Sequence, residues 1–314
     1  MRIALDTPPD FDFGGAVCSH GFFVLAPNAW EPATRTLRTV ITLDENAAVG
    51  IAVRESDRKQ LLVTCPARLS RPQAMTVRTT VRRMLRLDED FSRFHALCRD
   101  SPSHRAAADR RFGRLLRSAT LFEDVIKVIC TCNVAWRQTV TMIAKLVEHW
   151  GVPTDQGTGQ GFPTPVRLAA AGPADLKRIA RVGYRADYLH ALAVDIAEDR
   201  TDLAALEHFP GPTDELYRSL RRIRGVGDYA ASNLCMILGR YDRLAVDTEM
   251  LRLLKARHPR RRFTPASLRQ YYVAWQPYQF LAYWFELWQD YVARHGDSSS
   301  WSASDEGRRI TTGR

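Results

Sequence analysis

The stretch Leu220-Arg-Arg-Ile-Arg-Gly-Val-Gly-Asp-Tyr-Ala-Ala-Ser-Asn233 leaves the backbone few choices. Leu220 and Ile223 stand three apart and share one face of a helix. Gly225 and Gly227 permit a tight turn and leave backbone N–H groups bare. Val226 between them can plug down between two helices, and Ala231 is small enough to let those helices approach. The pattern predicts helix, hairpin, then a helix from about Tyr229 to Leu238. Bare N–H groups beside a helix N-terminus make a cradle for phosphate. A lone Gly-x-Gly corner is also an ordinary way to join two helices, so the context has to decide.

That context is Leu244-Ala-Val-Asp-Thr-Glu-Met250, which places Asp247 where another helix starts and runs to about His258. An Asp there is a natural N-cap. The combination of hairpin, apolar helix, Gly239-x-x-Asp242 and capping Asp resembles the helix-hairpin-helix (HhH-GPD) DNA glycosylases, nearest to the 8-oxoguanine and 3-methyladenine glycosylase II branch. Other segments are similar to that branch: Leu85 to Phe91, Phe122 to Gly151 with Ile129-Cys-Thr-Cys-Asn133, Ala171-Gly-Pro173, and Gly183-Tyr-Arg-Ala-Asp-Tyr188. The resemblance covers roughly residues 10–295. It implies an α+β chain: an antiparallel sheet domain over 1–85 (TBP-like), a helical HhH-GPD domain over 86–295, and a Ser-, Asp- and Arg-rich tail over 296–314 that reads as disordered.

The resemblance also implies roles. Gly225, Val226, Gly227 and Tyr229 would grip the DNA backbone, and Asp247 would face the sugar. Tyr184 would be the wedge, and Asn133 and Arg185 would contact the orphaned partner base. Tyr229, Asn233, Trp136, Phe280 and Trp284 would line the base pocket, with Trp288 a further stacking surface. Phe280, Trp284 and Trp288 are spaced i, i+4, i+8, which is also how a core-facing helix looks. One departure matters. Bifunctional relatives carry a Lys two residues after the second hairpin glycine; here that position is Tyr229. None of the five lysines (59, 127, 145, 177, 255) falls in the hairpin or its following helix. Amine chemistry is then absent, and the resemblance implies a monofunctional enzyme that removes an alkylated or oxidised purine. The rival readings are a bifunctional glycosylase/lyase that recruits another amine, and a non-catalytic DNA-binding protein.

Charge agrees with a nucleic-acid partner. There are 45 Lys plus Arg against 35 Asp plus Glu, a net charge of +10, and neutralising phosphates drives such binding. Arg supplies nearly all of it, as a G+C-rich genome would also produce. The six cysteines are scattered without a Cys-x2-Cys pair, so they read as small buried hydrophobes in a reducing compartment. No four-cysteine loop for an iron–sulfur cluster exists and no metal set is expected, though the hairpin could hold a structural monovalent cation. No apolar run suits a signal peptide or a membrane span. The expectation is a cytoplasmic monomer, nucleoid-associated in a bacterium, acting on damaged double-stranded DNA.

Residues 1–68 carry the short apolar and β-branched runs of a sheet: Phe22–Leu25, Thr36–Leu43, Ala48–Val53 and Leu61–Thr64. From Arg71 the period becomes helical, beginning with the basic amphipathic segment Pro72–Leu85. Gly151-Val-Pro153 reads as a helix stop. Residues 154–165, rich in Gly, Thr and Pro, read as a mobile loop. Two helices follow on either side of Val182–Arg185, then one over Thr213–Arg222 and a closing aromatic helix over Tyr278–Tyr291.

Overall fold

The computed structural model describes residues 1–56, 60–155, 157 and 159–301. Five short strands form one antiparallel sheet in the order β1-β5-β4-β3-β2: β1 Arg2–Asp6, β2 Ala29–Glu31, β3 Thr36–Thr42, β4 Ala48–Glu55 and β5 Gln60–Thr64. Alternation sets the register. Leu5 lies opposite Leu61 and Ile3 opposite Val63, and all four are buried, because a one-residue slip would turn them to water. The helix Arg71–Met84 starts at a Ser70/Gln73 capping box and buries Val77, Val81 and Met84.

The front sheet and the helices share one continuous apolar cluster, pinned by buried charge. Arg83 donates to Asp124 at 2.8 Å and Glu207 at 2.7 Å, and Arg117 also pairs with Glu207. The Arg83 guanidinium helps hold the Asp124 carboxyl below the usual range against the opposing effect of burial. Arg86, at φ 54°, gives its guanidinium to the carbonyls of Leu115, Met236 and Ile237. The last two are carbonyls of the final turn of the hairpin helix, where intrahelical donors run out.

Around this core stand the elements that build the site. The central helix, Leu121–Thr131, is capped by Thr120 and buried on every side up to Cys130. Helix Thr213–Leu220 leads into the hairpin, and the hairpin helix Asp228–Ile237 packs on the central helix. Helix Thr248–Arg257, capped by Asp247, packs on the closing helix Gln279–His295. No helix among the described residues is long and apolar enough to cross a membrane.

Three expectations need correction. Phe22–Leu25 is not a strand: Gly21–Val24 is a 3-10 turn, since Pro27 follows too closely for the run to extend. The described part of 154–165 is tied down: Val152–Pro153 pairs with Gln160–Gly161, Thr42 Oγ1 donates to the Phe162 carbonyl at 2.9 Å, and Thr164 caps the helix Pro165–Arg178. The start of the tail is ordered. Ser298–Ser300 forms a 3-10 turn, Trp30 Nε1 donates to Ser299 O at 2.8 Å, and Trp301 is buried against Trp288. Residues 302–314 lie outside the described residues.

Candidate active site

The hairpin forms as the glycines require. Gly225 takes φ +88°, and a β-carbon there would stand 2.6 Å from Tyr188 Cγ. Val226 is buried, and its N–H donates to Ile223 O at 3.0 Å. Gly227 is the N-cap of the hairpin helix, at φ −81° and ψ −173°. A β-carbon on it would meet nothing within 4 Å, so its backbone faces open space. Arg221, Arg222 and Arg224 are exposed around it. Asp228, in the first turn, would oppose an anion, but it accepts from the Tyr217 hydroxyl at 2.6 Å and pairs with Arg269 at 3.2 Å.

The hairpin borders a cavity of about 1190 Å³, slightly larger than the ~300–1,000 Å³ of most ligand pockets. Its wall joins the end of the central helix, the hairpin helix, the start of the Asp247-capped helix and the closing helix. Asp247 lies on that wall, part-buried. Its Oδ1 accepts the Met250 N–H at 2.8 Å and the Tyr283 hydroxyl at 3.2 Å. Burial raises its pKa and so does the like charge of Glu249, while those two hydrogen bonds and the Glu249 backbone N–H oppose the rise. Burial also pushes the Tyr229 phenol up, as does the Asp247 carboxylate. Asn233 Nδ2 donates to Tyr229 O at 3.0 Å, one turn back on the same face.

Most sequence-predicted residues converge here: Asn133, Trp136, Tyr184, Gly225, Val226, Gly227, Tyr229, Asn233, Asp247, Trp284 and Trp288 all line the cavity. Asn133 is exposed at φ 51°, just past the central helix. Tyr184 is 52% exposed and meets Tyr188 edge-on at 6.0 Å, which suits a side chain that leaves the surface to meet a ligand. Two residues fall elsewhere. Phe280 does not line the cavity: it is fully buried and stacks behind Trp284 at 5.8 Å. Arg185 lines no part of it either. Its guanidinium is buried and donates to Ile129 O at 3.2 Å, Val182 O at 3.3 Å and Cys132 O. It therefore fastens the Tyr184 turn to the end of the central helix and is not free to meet a base.

The structure adds residues that the sequence pattern did not single out. His20, Gly21 and Phe22, from the front of the chain, form part of the wall. His20 is 8% exposed, and its Nδ1 has no partner. Burial, helped by Arg86, holds its pKa down at about 3, so the ring is neutral. Trp136 Nε1 is likewise buried without a partner. Tyr283, 1% exposed, bonds Asp247 from behind. No group of His, Cys, Asp and Glu among the described residues could hold a metal ion.

Residues 126–277, which contain both the hairpin and Asp247, match the family described as HhH-GPD superfamily base excision DNA repair protein. Over those residues the chain is similar to the HhH-GPD superfamily. The chain also resembles DNA-3-methyladenine glycosylase 2 of Escherichia coli (strain K12), at 28% identity over 190 residues, 59% of this chain and 64% of that protein. The match thus spans slightly less than two thirds of that relative's length. Two solved structures share the fold over nearly the whole chain. The 3-methyladenine DNA-glycosylase from Archaeoglobus fulgidus superposes with a TM-score of 0.72 at 18% identity, covering 92% of this chain and 98% of its own. The 8-oxoguanine glycosylase/lyase of Clostridium acetobutylicum gives 0.66 at 15%, covering 86% and 93%. At such identities these two likenesses speak for the fold alone. They include the front sheet, which the matched family segment leaves out.

Proposed function

We propose that this protein is a monofunctional DNA glycosylase of base-excision repair, which takes a damaged purine out of the duplex and hydrolyses its N-glycosidic bond. The observation that carries the reading is the placement of Asp247. A desolvated carboxylate stands on a cavity whose rim is a helix-hairpin-helix, while no lysine is among the residues that line that cavity.

The chemistry follows from that placement. Bases inside a duplex are out of reach, so the base must leave the stack at a cost of a few kcal/mol. The hairpin amides, aided by Arg221, Arg222 and Arg224, hold the phosphates, and Tyr184 fills the space the base vacates. The aromatic wall, with Trp136, Tyr229 and Trp284, receives the base by stacking. Bond breaking leaves an oxocarbenium-like sugar, and the Asp247 carboxylate both faces its positive charge and activates the attacking water. At ~4 Å and an effective dielectric near 20, the attraction is about 4 kcal/mol, roughly a thousandfold in rate. Lys127 is buried and bonded to Glu123 Oε1 at 2.6 Å, so its amine is not free to react.

The test is a panel of duplexes, each with one lesion: 3-methyladenine or 7-methylguanine, hypoxanthine, 8-oxoguanine opposite C, and uracil. Strand breaks are counted with and without hot alkali. Breaks that need alkali establish hydrolysis without strand cutting and name the lesion. Breaks without alkali, with enzyme trapped on DNA by borohydride, would make it a lyase. Duplex binding with no base released from any lesion would leave a DNA-binding protein.

A further inference from the structure

We propose that Tyr283 is a positioning residue for Asp247: its hydroxyl holds the carboxylate in one orientation and in its ionised form. This inference rests on the glycosylase reading for its catalytic consequence but not for its geometry.

Two donors converge on a single carboxylate oxygen. Met250 N–H reaches Asp247 Oδ1 at 2.8 Å from the Asp's own helix, and the Tyr283 hydroxyl reaches it at 3.2 Å from the closing helix. The first is an ordinary cap and would exist in any helix that began with Asp. The second ties the cap to a different element. With Oδ1 held from two directions, rotation about the Cβ–Cγ bond is restrained, and the direction of Oδ2 is set.

Tyr283 can do nothing else with its proton that the structure shows. It is 1% exposed, and Asp247 is the hydrogen-bond partner of its hydroxyl. Its ring is wedged among Tyr272, Phe280 and Trp284. Burial pushes its phenol well above the usual value, and the neighbouring Asp247 carboxylate adds to this, so it remains a donor at any working pH.

The other groups facing Asp247 do not supply a positive charge. Glu249 comes from its own helix and Tyr229 from the hairpin helix, while Tyr291 joins Tyr283 from the closing helix. The Glu249 side chain is like-charged and destabilises the anion, while the Glu249 backbone N–H helps to stabilise it. The cations nearest in sequence are spent elsewhere: Arg243 on Asp214 at 3.0 Å, and Arg252 on Glu249 at 2.9 Å and Asp290 at 2.7 Å. A half-buried carboxylate in such surroundings depends on its hydrogen bonds to stay ionised. The Tyr283 hydroxyl is the only side-chain donor bonded to it among the described residues.

The test reads Asp247 directly. Full-length protein with 13C-labelled Asp carboxyls is titrated by NMR as wild type, Tyr283→Phe and Asp247→Asn, the last to assign the resonance. Loss of a donor to the anion lets its pKa rise, so the Phe variant should titrate about one pH unit higher. The acid limb of base release should move up with it, with kcat reduced up to tenfold at neutral pH and KM unchanged. An Asp247 titration that stays put in Tyr283→Phe overturns the proposal, as does a variant that only melts earlier with the limb in place. Wild type that releases no base would refute the glycosylase reading, and the NMR titration would still decide the role of Tyr283.

Discussion

The two hairpin glycines look alike in sequence and should respond differently to the same methyl group. Gly225→Ala places a β-carbon at φ +88°, 2.6–2.7 Å from the Cγ, Cβ and Cδ2 of Tyr188. The left-handed backbone costs an L-residue about 1–2 kcal/mol, and forcing the ring aside adds about 1–3 kcal/mol. The sum, roughly 2–5 kcal/mol, lowers the melting temperature by about 4–20 °C at 2–4 °C per kcal/mol for a chain of this order of size. Gly227→Ala sits at an ordinary φ with nothing within 4 Å, so the fold should hold within about 1 kcal/mol. What it fills is the open space over the hairpin amides. Duplex affinity should therefore fall, and the slope of log K against log salt should drop by about 0.9 for one lost phosphate contact. Differential scanning fluorimetry and fluorescence anisotropy at several salt concentrations separate the two effects. An unchanged affinity and salt slope in Gly227→Ala would refute the phosphate cradle.

Other expectations follow from the same geometry. Tyr184→Ala removes a half-exposed ring, so melting should change by less than about 0.5 kcal/mol, while base release under single-turnover conditions slows; an unchanged rate removes Tyr184 from the wedge role. His20→Phe removes an unpartnered, neutral nitrogen from the wall and should alter the ratio of rates between lesions about tenfold or more if that nitrogen reads a base edge; equal effects on every lesion would show it to be a packing residue. Since burial raises the Asp247 carboxyl, activity should fail on acidification at a higher pH than an exposed Asp would give, about 3.9. A pH–rate profile whose acid limb lies at or below that value contradicts the assignment.

How much could be read from the sequence depended on whether cause and effect lay close together in the chain. The hairpin and Asp247 are local: glycine spacing and a capping Asp state their own geometry. The corrections come from tertiary context. Phe22–Leu25 is apolar enough for a strand, but its burial comes from packing near Trp136 and Lys127, which lie over a hundred residues away. His20 reaches the cavity through the same packing, and no spacing rule could have found it. Arg185 was expected at the orphaned base because Gly183–Tyr188 resembles the family's wedge loop. Instead its guanidinium turns inward and donates to the carbonyls of Ile129 and Cys132, at the end of the central helix. On the closing helix, the i, i+4, i+8 stripe was ambiguous by construction. Trp284 and Trp288 line the cavity while Phe280 backs it, and Tyr283, between them, bonds to Asp247.

The central claim is that the Asp247 carboxylate, and not merely the cap it forms, breaks the glycosidic bond. Asp247→Asn separates the two, because Asn caps a helix nearly as well as Asp. The carboxyl's raised pKa means the folded state binds that proton more tightly than the unfolded state, so ionising Asp247 at neutral pH costs stability. Removing the charge should leave the melting temperature equal or slightly higher. Measured as free base released from the lesion duplex in a single turnover, the Asn variant should be slower by roughly a thousandfold, with duplex affinity retained. A variant that keeps a tenth or more of the wild-type rate would contradict the account.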